Sequence, residues 1–295
     1  MRNLIVSLIS KELKKNYFLT ADLGFSFLEK ISKVFKSRFI NVGVSENNMF
    51  LLAVGISENI KKNECVYVYS ISPFLILRSL EIIRNYVNGE KRNIRMIGVG
   101  SGYSYSTMGK THFLIEDLNI IYGLKNILIL NPANQIELEY LYKKFKNFKN
   151  PIYFRINKNK GLVDSKYNFI NKNGLFHKQG KGLNIICSGY IINYLIEFFN
   201  TKEISELNIL SVPIFNENYN KNILKYLNKD KNLLTITDSN KTIYFESIKS
   251  QFNKINKSKS WNVDLDTNKV KLVGTELEIL KQAGLSVKKI RDFLK

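Results

Sequence analysis

Glu46 stands among small, amide and apolar residues in the stretch RFINVGVSENNMF, Arg38 to Phe50. A carboxylate there serves either as a first-turn charge favoured by a helix dipole or as a working acid/base. Of the two histidines, His112 closes the run Gly-Lys-Thr-His, where an imidazole can hydrogen-bond hydroxyls or relay protons. His177 lies in a polar, Lys/Asn-rich stretch with no pattern around it. Asp22 and Ser26 follow one apolar run, and Phe74 follows another through Ser70-Ile71-Ser72-Pro73. Cys65 and Cys187 lie far apart in apolar runs without metal spacing, as packing thiols of a reducing, cytoplasmic compartment would.

These residues need elements to position them. Phe18–Thr20, Phe39–Val42, Cys65–Tyr69, Ile94–Val99, Ile127–Leu130 and Ile152–Ile156 read as strands. Helical patterns over Phe74–Val87 and Ala133–Phe148 lie between them, and Asn48–Ile56 is apolar nearly all round, as a buried helix would be. The alternation predicts an α/β layered domain with a mostly parallel sheet, whose ligands gather in the loops after the strands. A polar, Gly-punctuated stretch follows and predicts a linker. Then Leu183–Cys187, Leu207–Val212 and Leu233–Thr237 read as strands, and Tyr190–Asn200, Glu276–Ala283 and Val287–Leu294 as helices.

The chain has 295 residues, 44% of them hydrophobic, enough for a sizeable core. No apolar run approaches the length of a membrane span, and the first residues read as an amphipathic helix. The net charge of +20 is dispersed among asparagines and isoleucines. A nucleic-acid protein would concentrate it in a stripe, so no specific nucleic-acid partner is expected, while anionic ligands are attracted.

Taken in order, TADLGFS, FINVGVSENNM, SPFLILR with EIIR, GKTHFLIEDL and NPANQIELEYL resemble the pyrimidine-binding domain of transketolase. LNIICSGYIINYLIE and VGTELEILKQAGLSVKKI resemble that family's carboxy-terminal domain. The resemblance implies two layered α/β domains with mostly parallel sheets, residues 1–160 and 183–295, joined by 161–182. It implies thiamin diphosphate as cofactor and transfer of a two-carbon ketol unit from a ketose to an aldehyde. Glu46 matches the glutamate that shares a proton with N1′ of the aminopyrimidine, and the series moves it from the helix-start reading to that one. Phe74 matches the aromatic on the ring, and Arg78, four residues on as in two-chain members, is expected to bind the cofactor with it. Asp22 matches a cofactor-side aspartate, and His112 a histidine that faces substrate. Ser26 and Arg2 match positions that touch the sugar phosphate, and Lys158 stands for the basic residue after the last strand.

Two positions depart from the family. Met108 replaces an aspartate that reads a sugar hydroxyl, and Gly100 a phosphate-contacting histidine, which implies a rebuilt substrate pocket. The Gly-Asp-Gly motif and downstream Asn that hold a divalent metal have no match. The resemblance therefore implies that a separate N-terminal, diphosphate-binding subunit brings the Mg2+ or Ca2+ ligands, in a heterotetramer of two of each chain. Deoxyxylulose-phosphate synthase and the 2-oxo-acid dehydrogenase beta subunit share the domain pair and are the alternatives with the same cofactor. A non-catalytic basic binding protein is the alternative without it.

Overall fold

In β3 (Val66–Ile71), Val66 and Val68 enter one apolar cluster while Tyr67 and Tyr69 enter another on the opposite face. A strand buried on both faces belongs in the middle of a sheet covered on both sides. The computed structural model describes residues 1–12, 15–23, 28–161, 176–199, 201–220, 222–263, 265, 269–270, 273–285 and 287–292. Around β3 the first sheet gathers β1 (Tyr17–Thr20), β2 (Phe39–Asn41), β4 (Ile94–Val99), β5 (Leu128–Leu130) and β6 (Ile152–Ile156). The second is built from β7 (Phe176–Lys178), β8 (Asn184–Ser188), β9 (Asn208–Ser211), β11 (Leu233–Thr237) and β12 (Ser260–Val263). The remaining strand, β10 (Ile214–Phe215), leaves the second half of the chain and pairs antiparallel with β5.

The first sheet runs β10-β5-β6-β4-β3-β1-β2 and the second β12-β11-β8-β9-β7. Among the described residues the pairings between these strands are parallel except β10 with β5 and β7 with β9. In the first sheet the order reverses between β1 and β3, and ligands of open α/β sheets gather at such a point, beyond the strands' carboxyl ends. Asp22 follows β1, Glu46 follows β2, Phe74 follows β3 and His112 follows β4, so four sequence-predicted residues stand on the loops of that edge.

Three elements differ from the sequence expectation. The helix after β2 runs Glu46–Asn59 and is buried on one face only, through Met49, Phe50, Ala53 and Val54. Leu51 and Leu52 are 51% and 39% exposed, so this apolar helix is not enclosed by its own chain. The helix expected over Phe74–Val87 is broken into Ser72–Leu77, Leu80–Ile82 and a π-helical turn Ile83–Asn88, with Arg78 and Ser79 at the break. Of the expected linker, residues 162–175 lie outside the described residues and 176–178 form the edge strand β7.

The two halves meet over buried charge. Arg155 of β6 donates from Nε to Asp117 at 2.8 Å and from Nη1 to Asp238, beyond β11, at 2.6 Å. Arg155 Nη1 also donates to Asn131 Oδ1 at 3.2 Å, and the Tyr153 hydroxyl donates to Asp117 at 2.7 Å. All these groups are out of water, so each depends on the others for its partners. Nearby, Glu276 starts a helix capped by the reciprocal Thr275–Glu278 pair. Its carboxylate accepts from Asn157 Nδ2 at 2.9 Å and Asn159 Nδ2 at 3.4 Å, the residues on either side of Lys158.

Candidate active site

Glu46 opens its helix after the turn at Gly43, whose positive φ of 74° suits a residue without Cβ. A first-turn acid usually lies at the surface beside its own helix's N–H groups. Glu46 is instead only 2% exposed, and its carboxylate turns to neighbouring elements. Ser70 Oγ at the end of β3 donates to Oε1 at 3.3 Å, and Arg78 Nη1 donates to Oε2 at 2.8 Å. The break between the helices puts Arg78 within that reach. Its guanidinium carbon also lies 4.1 Å from the centre of the Phe74 ring, a cation–π contact.

The Phe74 ring meets His112 edge to face, with centroids 5.3 Å apart and planes at 70°. The imidazole is fixed through Nδ1, 2.8 Å from the Thr111 hydroxyl. Glu46, Phe74, Arg78 and His112 therefore form one group drawn from three loops. A buried carboxylate, an apolar ring face and an imidazole fit a planar, nitrogen-bearing ring with a reacting partner on the imidazole side. Ser70 belongs to this group too, although a serine inside a strand gave no sequence signal.

The remaining predicted residues lie elsewhere or outside the described residues. Asp22 is exposed at φ 52°, its backbone N–H donating to Asn41 Oδ1 at 2.9 Å while its carboxylate accepts from Asn41 Nδ2 at 3.2 Å. Asn41 Oδ1 also accepts from the Gly43 N–H at 3.1 Å, so Asp22 braces the turn before Glu46 rather than touching the carboxylate's partners. Ser26 lies outside the described residues.

Lys158 lies against Tyr105, and the Arg2 charge is felt at Tyr69. The Lys158 ammonium lies 5.2 Å from the Tyr105 ring centre. Burial pushes the Tyr69 hydroxyl well above its ordinary pKa; the Tyr105 hydroxyl adds to the rise and the Arg2 charge opposes it. The Met1 nitrogen donates to the Asn159 carbonyl at 2.9 Å, which ties Arg2's helix to the Lys158 loop. Tyr105 was not foreseen, and it explains Gly100. That glycine has φ 78°, and a Cβ placed on it would stand 2.0 Å from the Tyr105 ring. Tyr105 thus fills the space that a side chain at position 100 would enter. Met108, by contrast, is 54% exposed.

Among the described residues no group of three or more His, Cys, Asp or Glu is placed to hold a metal ion. Nor, among them, is any helix long and apolar enough to cross a membrane.

Residues 3–162 match the family model described as transketolase, pyrimidine binding domain. A Methanocaldococcus jannaschii protein named as a transketolase C-terminal section is 31% identical over 150 residues, 49% of this chain and 46% of the relative. An Actinobacillus succinogenes protein named as one subunit of apulose-4-phosphate transketolase is 29% identical over 124 residues, 42% of this chain and 39% of the relative. The matched stretches thus span less than half of either relative. A solved split-gene transketolase, described as an inactive beta4 tetramer, superposes with TM-score 0.75 at 19% identity. It covers 99% of this chain and 94% of its own, which shows the same fold.

Proposed function

Because the chain belongs to the transketolase family through its pyrimidine-binding domain, we propose that it is one subunit of a thiamin diphosphate-dependent transketolase. The reaction breaks a ketose between C2 and C3, releases the shortened aldose, and joins the two-carbon ketol unit to an aldehyde acceptor. The observation that carries this reading is the buried Glu46 carboxylate, joined through Arg78 to the Phe74 ring, with His112 edge to face against that ring.

When bound, thiamin diphosphate would supply the thiazolium carbon that attacks the ketose carbonyl and the ring system that stabilises charge on the two-carbon fragment. Glu46 would hold a proton in common with the pyrimidine ring nitrogen; its lack of water contact makes that hydrogen bond strong. Phe74 would cover the ring face, and His112 would hydrogen-bond a substrate hydroxyl. Lys158 and Arg2 would attract a substrate anion from the Tyr105 side.

A second, diphosphate-binding subunit would bring the Mg2+ or Ca2+ ligands, two copies of each chain forming the enzyme. Support comes from the A. succinogenes relative, itself named as a subunit, and from the near-complete overlap with the split-gene chain. The exposed Leu51 and Leu52 beside Glu46 are apolar surface of the kind that subunit contacts cover. Tyr105 over Gly100, and Met108 at the loop surface, favour a modified or carrier-linked sugar over common phosphoketoses as one substrate.

The test is reconstitution with a candidate diphosphate-binding subunit, followed by Glu46→Gln. The amide cannot share the ring proton, so turnover should fall by roughly 10²–10⁴, with the fold and subunit complex unchanged. Near-normal turnover in that variant would make Glu46 structural. Full turnover by the isolated chain would remove the second subunit from the reading.

A further inference from the structure

We propose that Arg78 is a placeholder whose guanidinium fills the seat of the aminopyrimidine ring and must leave before the cofactor enters; this rests on the site reading above. The two groups that would hold the ring, the Glu46 carboxylate and the Phe74 face, are both engaged by this one side chain. A guanidinium is planar and cationic, and it donates N–H groups in its own plane, which imitates the face and donor edge of an aminopyrimidine. Ring and guanidinium cannot occupy the same carboxylate edge and the same ring face together. Arg78 therefore competes with the cofactor rather than lining its pocket.

The surroundings suit a side chain that departs. The Arg78 side chain is 48% exposed, against 2% for its Glu46 partner, so one end of the pair opens on solvent and the other does not. Its backbone stands at the break between two short helices, held by the Asn47 side-chain amide to the Arg78 carbonyl at 3.4 Å. The helix before it is anchored independently by buried Leu75 and Ile76. Rotation about the Arg78 side chain would open the seat without disturbing that packing. In the meantime the buried carboxylate has a cationic partner, which an unoccupied seat would deny it. When the guanidinium leaves, Ser70 Oγ still donates to Glu46.

The consequence is a competition that can be measured with this chain alone. The probe is thiamin, which carries the aminopyrimidine without the diphosphate, titrated by saturation-transfer NMR against the full chain and its Arg78→Ala variant. Circular dichroism and thermal midpoints establish that both are folded. Thiamin should bind the variant about tenfold or more tightly than the parent, the weight of one charge-assisted hydrogen bond. Guanidinium ion at low millimolar concentration should then displace thiamin from the variant. Equal or weaker thiamin binding by Arg78→Ala would overturn the placeholder and make Arg78 a ring-holding residue, leaving the site reading intact. No binding by either chain at high millimolar thiamin would overturn the placeholder as well, since removing the guanidinium would then have opened no seat; the site reading is decided separately, by Glu46→Gln in the reconstituted enzyme.

Discussion

Replacement of Glu276 by glutamine tests how the second domain sets the loop that carries Lys158. Burial pushes the Glu276 carboxyl up from 4.5 to about 7, and the Asp238 charge adds to the rise; the Asn157 amide and the Tyr194 hydroxyl pull the other way and lose. A carboxyl that ionises near 4.5 unfolded and near 7 folded carries about 3 kcal/mol of linkage. The folded state holds the proton more tightly. The contribution is therefore fully present below pH 4.5, is lost as pH rises through about 7, and is flat above that. Glutamine cannot ionise, so Glu276→Gln should gain on the parent as pH rises. The stability difference should favour the variant by about 2–3 kcal/mol more at pH 8 than at pH 5. Its carbonyl can still accept from Asn157, the shorter of the two hydrogen bonds; the amino group meets Asn159, where the contact is already long. Glu137, raised by burial to about 7 as well, is common to both proteins and cancels. Urea unfolding at pH 5, 6.5 and 8 and constant ionic strength measures the difference. A difference that does not change with pH would refute the reasoning.

Arg155→Met leaves Asp117 and Asp238 buried without their cation, and should cost about 3–5 kcal/mol in urea unfolding. A loss below about 1 kcal/mol would show that the two carboxyls take up protons from solvent once the cation is gone. Gly100→Ala should destabilise by more than about 1 kcal/mol through its positive φ, with Tyr105 forced aside as well; an unchanged thermal midpoint would mean that Tyr105 is not packed against it. Met108→Asp should leave the midpoint alone and, in the reconstituted enzyme, raise the kcat/KM ratio for ordinary ketose phosphates over other donors about tenfold. An unchanged ratio would make position 108 irrelevant to donor choice.

The fold and the centre of the site were legible because both rest on local pattern. β3 and β4 are mostly apolar runs buried on both faces, and the loops after them hold Phe74 and His112 within one contact of each other. Glu46 needed the whole series of motifs, since its own neighbourhood suits a helix start equally well. What escaped was set by distant contacts. β7 and β10 are three and two residues long and exist only through strands far away in the chain. The expected helix from Phe74 continues in sequence, yet it breaks where Arg78 meets Glu46. Tyr105 had no signal of its own; the missing side chain at Gly100 was visible, but not what fills its space. The partners of the fully buried Arg155 were equally hidden, because the acids that neutralise it come from two separate elements.

The two-residue strand β10 has an effect out of proportion to its length. Without it, β5 would present Leu128–Leu130 as a bare apolar edge with free backbone donors and acceptors, a template for pairing with any passing strand. The guard is supplied from the far side of the interdomain stretch, so residues 1–160 made alone would expose the edge that the whole chain keeps closed. A ribosome reaches that state on every round of synthesis, with the first sheet complete but for its last strand. The unguarded interval lasts until Ile214 and Phe215 emerge, and over that interval the nascent chain is open to strand exchange with its neighbours.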